Sequence, residues 1–474
     1  MTAAPVKAAA LVLRAPDGRV LISKRAGGAP FLGGYLAFVG GKEEPEDEEF
    51  ARSLFSDPSE TARAAALREM REETGLDLCS PPAPDAPPAS LPSLLDAGRW
   101  VTPSAYPMRF DTAFFLVDVL EAAELEVCSE LEWARWATPE ALLDGYQRLE
   151  HLLAPPTLAQ LAALARVGAS ASPEAAAAAL RQAALEGDHG APTSAHPSVA
   201  GVWQLPLKTP TLPPATHTNC YVVGEQRVIV VDPAPYEPSE RERLAELLEA
   251  RRAAGAQLEQ VVLTHHHPDH FGASTWVAER FGLLIAAHPE TARLLEGEVR
   301  VDRTLVDGDR IDLGLDASGE PFVLEVLHTP GHAGGHLCLR DLRRGGGGMI
   351  VGDMVASVGS IIIDPDEGDM SAYLEQLQRL RGFADQPLHP AHGGTLASSH
   401  AKLDAYLAHR LGREAKVLRA LSDQPRAVRE LLPSAYADVP ETLWPMAERA
   451  CKAHIDKLVR EGRARSYGGI RFSL

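Results

Sequence analysis

The sequence predicts a multidomain protein of mixed α/β and α+β type, and three observations lead there. At 474 residues the chain is too long for one ordinary core and suggests about three domains. Two separate clusters of ligand-type side chains each follow strand-like runs, one on a helix near the start and one in loops of the second half. Residues 401–474 carry 14 Lys and Arg against 9 Asp and Glu, inside a chain whose net charge is −19. That tail is a locally basic unit of its own.

Apolar content of 45% and charged content of 23% are those of a soluble globular protein. No run reaches the roughly 18 to 20 apolar residues that a membrane helix needs, and Met1 to Ala10 has no signal-peptide pattern. Five scattered cysteines, Cys79, Cys128, Cys220, Cys338 and Cys451, form no CxxC pair and read as reduced thiols of a cytoplasmic protein. The acidic balance argues against indiscriminate nucleic-acid binding over the whole surface. Abundant Ala, Arg, Pro and Gly suggest a bacterial source.

In chain order, Lys7 to Leu13 and Arg19 to Ser23 read as a hairpin around Ala15-Pro16-Asp17-Gly18. A Gly-rich loop, Ala26 to Gly34, leads to a strand Tyr35 to Val39 and to Gly40-Gly41. Lys42 to Ser59 is acidic at first and polar throughout, and reads as a surface loop. Thr61 to Leu76 is a helix stopped by Gly75. On it Glu69, Glu72 and Glu73 stand at i, i+3 and i+4, so three carboxylates share one face. Like charges so placed destabilise a helix by a few tenths of a kcal/mol per pair, and a bound cation reverses the sign.

The string Arg68-Glu69-Met70-Arg71-Glu72-Glu73-Thr74-Gly75-Leu76 resembles the Nudix box, with Glu60 the right distance upstream and Phe38 to Gly41 as the preceding strand and glycines. The resemblance spans about residues 1–168 and implies an α/β/α sandwich. It further implies that Glu69, Glu72 and Glu73 bind Mg2+ or Mn2+ and carry the chemistry, with Glu60 and Arg68 in support. Oxygen ligands and a partly hydrated ion suit diphosphate hydrolysis. The box is interrupted, since Gly41 lies far upstream of Glu60. That interruption, with the sequence Phe31 to Gly41 ahead of it, is similar to the coenzyme A diphosphatase subgroup and points to CoA or acyl-CoA.

Residues 169–200 are rich in Ala, Ser, Pro and Gly. Pro173 to Leu185 has helical composition but few bulky apolar side chains to bury, so the stretch reads as a linker.

Val261 to Leu263 then reads as a short buried strand, and Thr264-His265-His266-His267-Pro268-Asp269-His270 follows it. Three imidazoles, His265, His267 and His270, crowd one turn with the Asp269 carboxylate, a donor set suited to zinc. Further ligands follow later strands: His332 in Thr329-Pro330-Gly331-His332, Asp353 after Gly352, and His392 in Pro390-Ala391-His392-Gly393. These motifs in this order closely resemble the metallo-β-lactamase-fold hydrolases over about residues 201–400. The resemblance implies an αββα sandwich and two zinc ions. His265, His267 and His332 would hold one ion, Asp269, His270 and His392 the other, with Asp353 between them. Asp269 would also orient or deprotonate the nucleophile, and Asp232 would be structural support.

The tail, residues 401–474, has the element order of a winged helix, with basic residues at Lys452, Lys457, Arg460, Arg463 and Arg465 and a turn at Gly468-Gly469. A metallo-β-lactamase core with this tail is similar to a group that includes endoribonucleases and glyoxalase II-type thioesterases. The resulting expectation is a bifunctional hydrolase, a Nudix diphosphatase joined to a dinuclear zinc enzyme for an ester, thioester or phosphodiester, with small-molecule substrates and no membrane partner. The alternative is an endoribonuclease acting on single-stranded RNA, with the Nudix half sensing or sanitising nucleotides.

Overall fold

The computed structural model describes residues 4–27, 29, 32–79, 91–102, 108–186, 196–212 and 215–474. Parts of the Gly-rich loop, Pro103 and the middle of the 169–200 stretch lie outside the described residues. The chain divides into two compact units, Met1–Trp203 and Gln204–Leu474.

The first unit is built on one sheet. Val6–Arg14 runs parallel to Phe110–Asp118, with Val6 opposite Phe110 and Arg14 opposite Asp118, and antiparallel to Val39–Lys42. Val20–Arg25 pairs with Leu131–Ala137 and with Tyr35–Ala37. Side chains alternate across such a strand, so Ala10 and Val12 enter one core while Ala9, Leu11 and Leu13 enter the other. The helix Thr61–Thr74 closes the second face with Ala65, Ala66, Leu67 and Met70; helices Pro139–Gln147, Pro155–Val167 and Pro173–Glu186 close the first. This is the expected α/β/α sandwich.

Two local expectations fail here. The acidic stretch after Lys42 is not a loop: Glu46–Phe55 is a helix, and Asp47 on it is fully buried. The supposed linker contains the packed helix Pro173–Glu186, which buries Ala176, Ala177, Leu180, Ala183 and Ala184. Small side chains serve it because its partner is also small: a Cβ on Gly98, at φ +98°, would lie 2.5 Å from the Ala184 Cβ. Burial here comes from close approach rather than bulk.

Val202–Lys208, which begins just before the boundary, and His217–Val223, Arg227–Val231, Gln257–Val262, Leu284–Ala287 and Arg303–Thr304 of the second unit lie side by side in chain order in one sheet. Helices Pro238–Ala253 and Ser274–Phe281 pack on it through Leu244, Leu248 and Val277. A second sheet runs Arg310–Leu315, Pro321–His328, Leu337–Asp341, Met349–Gly352 and Leu388–Pro390. Leu327, Cys338, Met349 and Val351 from it share a core with Tyr373 and Leu377 of helix Met370–Arg381 and Leu403 and Tyr406 of helix Ser399–Ala420. The layers are helix, sheet, sheet, helix.

The helix Ser399–Ala420 runs straight through the expected domain boundary at residue 400 and places Val417 in the core of the tail. That core also holds Leu431, Leu432, Cys451, Ile455, Leu458 and Phe472. Arg465–Tyr467 and Arg471–Ser473 form the wing, turned by Gly468 and Gly469 at φ +63° and +73°, the positive values that a tight hairpin turn demands. The basic cluster expected here is largely neutralised: Lys452 pairs with Asp456, Lys457 and Arg463 both pair with Glu414 and Glu461, and Arg460 pairs with Asp369. Among the described residues, no helix is long and apolar enough to cross a membrane.

Candidate metal centres

Both sheets of the second unit end at one place. His265, His267, Asp269 and His270 follow the strand Gln257–Val262, His332 follows Pro321–His328, Asp353 follows Met349–Gly352, and His392 follows Leu388–Pro390. Their ligand atoms form two groups, each with all atoms within 4.8 Å of one another: His265, His267, His332 and Asp353 in one, Asp269, His270 and His392 in the other.

The hydrogen bonds fix which nitrogen of each ring faces inward. His332 Nδ1 donates to the Ile362 carbonyl at 2.9 Å, and His267 Nε2 donates to Glu367 Oε1 at 2.8 Å. His265 Nδ1 lies 2.9 Å from Thr264 Oγ1, whose own proton goes to Asp232 Oδ2 at 2.7 Å. The inward atoms are then bare lone pairs, with His267 Nδ1 3.0 Å from both His265 Nε2 and His332 Nε2. Three acceptors facing one another repel unless a cation lies among them, so the donor set fits a metal.

The second group is fixed the same way. His270 Nδ1 donates to Asp232 Oδ2 at 2.8 Å and His392 Nδ1 to the His217 carbonyl at 3.1 Å. Buried His270 Nε2 and Asp353 Oδ1 find no hydrogen-bond partner among the described residues. Asp353 reaches both groups, with Oδ2 3.4 Å from His332 Nε2 and Oδ1 3.3 Å from His392 Nε2.

The charges also call for cations. Burial opposes a charge on His270, yet Asp269, Asp232 and Asp353 around it push it up to about 10, so a proton competes with a metal ion for Nε2. Burial pushes His332 down to about 4 and His265 well below its ordinary range. Burial opposes ionisation of Asp353, but His392 and His270 hold its carboxyl well below the usual carboxylate range.

Supports around the ligands complete the centre, Asp232 among them as expected. Asp232, at φ +52°, also accepts the Thr264 N–H at 2.8 Å and so holds the start of the histidine loop. His336 Nε2 accepts the Asp353 N–H at 3.1 Å. Asn219 Nδ2 donates to the Pro390 and Gly393 carbonyls at 2.8 and 2.7 Å, bracketing His392. Glu367, whose other oxygen lies 3.2 Å from His266 Nε2, comes from a loop about a hundred residues away, and nothing in the sequence marks it.

The first unit presents carboxylates differently. Glu73 is buried and Glu69 half-buried, and burial pushes Glu73 up to about 7 and raises Glu69 as well. Glu130, from the turn before Leu131–Ala137, adds negative charge to both. Arg68 lies between Glu69 and Glu72, with Nη1 3.0 Å from each, and Glu72 is about half exposed. The three expected ligands do not converge as the histidines do; Glu69 and Glu73 form the buried pair. Glu60 pairs with Arg63 at 2.9 Å. A Cβ on Gly41 would sit 2.1 Å from Glu69 Oε1, so this glycine makes room for the carboxylate.

Comparison with known proteins agrees with this division. Residues 4–156 match the model of the NUDIX domain, 213–392 that of the metallo-beta-lactamase superfamily, and 427–471 that of the beta-lactamase associated winged helix domain. A beta-lactamase-like protein 2 homolog of Drosophila melanogaster is 26% identical over 52% of this chain and 84% of that protein. A hydroxyacylglutathione hydrolase of Rhizobium meliloti is 32% identical over 32% of this chain and 56% of its own length. The crystal structure of a beta-lactamase domain protein from Burkholderia ambifaria covers 59% of this chain and 93% of its own, with 20% identity and a TM-score of 0.51.

Proposed function

For a hydrolase built of a Nudix domain, a metallo-beta-lactamase domain and a winged helix, we propose two metal-dependent activities on one chain. The second unit is a dinuclear zinc hydrolase acting on a thioester or a related ester, and the first is a Mg2+- or Mn2+-dependent diphosphatase with CoA or acyl-CoA as the substrate class. The observation that carries the first assignment is the set of inward lone pairs on His265, His267, His332, His270 and His392, each ring fixed by a bond at its other nitrogen.

Two divalent ions held by these residues and by Asp269 and Asp353 would supply Lewis acidity and lower the pKa of water. The protein's own part is to orient and to move protons. Asp269 Oδ2 is 3.6 Å from His392 Nε2, and its side chain is still partly open to solvent, so it can take a proton from an incoming nucleophile. Asp232, through Thr264 and His270, keeps two of the rings in one tautomer. In the first unit Glu73, held near neutrality by burial, is suited to accept a proton during diphosphate cleavage.

A thioester substrate for the zinc half is supported by the named hydrolase relative. The ion pairing of Lys452, Lys457, Arg460 and Arg463 leaves little free positive charge on these side chains for single-stranded RNA. We further place the protein in the cytoplasm, in keeping with its five free thiols.

Mass spectrometry of the products from a medium-chain acyl-CoA with Mg2+ and Zn2+ tests this. Adenosine 3',5'-bisphosphate with acyl-phosphopantetheine supports the diphosphatase, and free CoA with fatty acid supports the thioesterase. Absence of both, with cleavage of a single-stranded RNA instead, overturns the CoA reading in favour of the ribonuclease alternative.

A further inference from the structure

The segment from residue 357 to 369 contains neither helix nor strand, and individual backbone and side-chain contacts hold its path. On one side it supports the metal centre. Its Ile362 carbonyl accepts from His332 Nδ1, and its Glu367 carboxylate accepts from His267 Nε2. Asp369 N–H donates to the Gly331 carbonyl at 2.8 Å, one residue before His332, and a Cβ on Gly368 would come 2.8 Å from that same oxygen.

On its other side the segment is gripped by three arginines of the C-terminal region. Arg410 Nη2 donates to the Ile361 carbonyl, next to Ile362. Arg449 pairs with Asp364 and reaches Asp366 Oδ2 at 2.5 Å. Arg460 pairs with Asp369, with Nη2 2.8 Å from Oδ1. The tail has its own apolar core and docks through Ala453, so Arg449 and Arg460 are not needed to hold it folded. What they touch is the segment between the tail and the ligand histidines.

We infer that the winged helix is a positioning device for the first metal position: Arg449 and Arg460 hold residues 364–369 so that Glu367 fixes the His267 ring and Ile362 fixes the His332 ring. This rests on the two-metal reading above. Partners of ligating histidines set ring orientation and ligand basicity, and their loss commonly weakens metal affinity by about 10- to 100-fold. Both arginines are about half exposed, so each pair alone is weak and salt-sensitive. Acting together on one short segment they still restrict it.

The test uses the full-length chain with Arg449→Ala and Arg460→Ala combined. Zinc affinity is measured by competition with a chromophoric chelator, and the Co2+-substituted protein is followed by its visible spectrum. About tenfold weaker binding of one of two ions, with a changed cobalt spectrum and an unchanged melting curve, supports the inference. Affinity within twofold of wild type and an unchanged spectrum overturn it.

Should the double variant fail to fold, Arg449→Glu alone and with Asp364→Arg decides: loss of affinity in the single variant and recovery in the reversed pair supports the inference, and equal affinity in all three proteins overturns it. A wild-type chain that binds no zinc would sink the two-metal reading itself, whereas two bound ions with unaffected variants would sink only the role of the winged helix.

Discussion

Asp47 and Arg68, 21 residues apart, meet through two hydrogen bonds, Nε to Oδ1 at 2.8 Å and Nη2 to Oδ2 at 3.0 Å. Asp47 is fully buried and Arg68 nearly so, and the same guanidinium bonds Glu69, Glu72 and the Lys42 carbonyl. The interruption in the Nudix box therefore supplies the carboxylate that anchors the box arginine. Asp47→Ala leaves a largely buried cation without its main partner, and such a loss costs about 3 kcal/mol. Denaturant melts of the first unit should show that destabilisation together with lower diphosphatase activity; a melt unchanged from wild type would refute the anchor.

Asp269→Ala is expected to lower the hydrolase activity proposed for the second unit by at least about a hundredfold, the scale of a lost acid–base group. The diphosphatase of the same protein should be unaffected. Parallel assays of both activities on one preparation check this.

Glu73 sits near 7 because burial disfavours its charge. Its pKa in the fold is above its ordinary 4.5, so the metal-free fold is favoured at low pH, and that contribution is lost as pH rises from about 4.5 to 7. Mn2+ binding needs the ionised form, so affinity should fall toward about tenfold per pH unit below 7. Glu73→Gln should remove both slopes and the proposed diphosphatase activity while sparing the activity of the second unit. Mn2+ titrations by electron paramagnetic resonance between pH 5.5 and 8 would expose a flat profile in wild type, the result that contradicts this account.

His454 is buried in the tail with neither ring nitrogen bonded among the described residues, and burial pushes it down to about 3. Its folded pKa lies below the ordinary 6.5, so its contribution to stability is full above 6.5 and is lost as pH falls toward 3, with a limiting slope of about 1.4 kcal/mol per unit. His454→Leu should stabilise the protein by about 1 kcal/mol at neutral pH, since an unsatisfied polar group is removed, and flatten the acid limb. Thermal melts from pH 4 to 8 measure both effects.

The histidine centre is legible in two ways: spacing puts His265, His267, Asp269 and His270 in one turn after a strand, and the resemblance of the later motifs implies that His332, Asp353 and His392 join them. Asp47 was not. Six acids among residues 43–49 look solvated, and the burial of one depends on Arg68, which local pattern does not reveal. The packing of the Ala-rich helix at 173–186 is not legible from composition, because alanines bury little by bulk and it is Gly98 that lets them pack at close range. Charge in the tail misled for a related reason: composition counts Lys457 and Arg463 but does not show that Glu414, a turn from Arg410 on another helix, takes up both. Glu367 has no local signature, and only the folded loop brings it to His267.

The helix Ser399–Ala420, 22 residues and about 33 Å long, gives its first half to one hydrophobic core and its last turns to another. A nonsense codon at or before Tyr406 would do more than delete a C-terminal appendage. It would strip Tyr406 from the layer behind Met354 and Tyr373 and expose the back wall of the metallo-beta-lactamase domain. A replacement tail that keeps the neighbouring domain intact therefore has to leave Leu403 and Tyr406 of this helix in place.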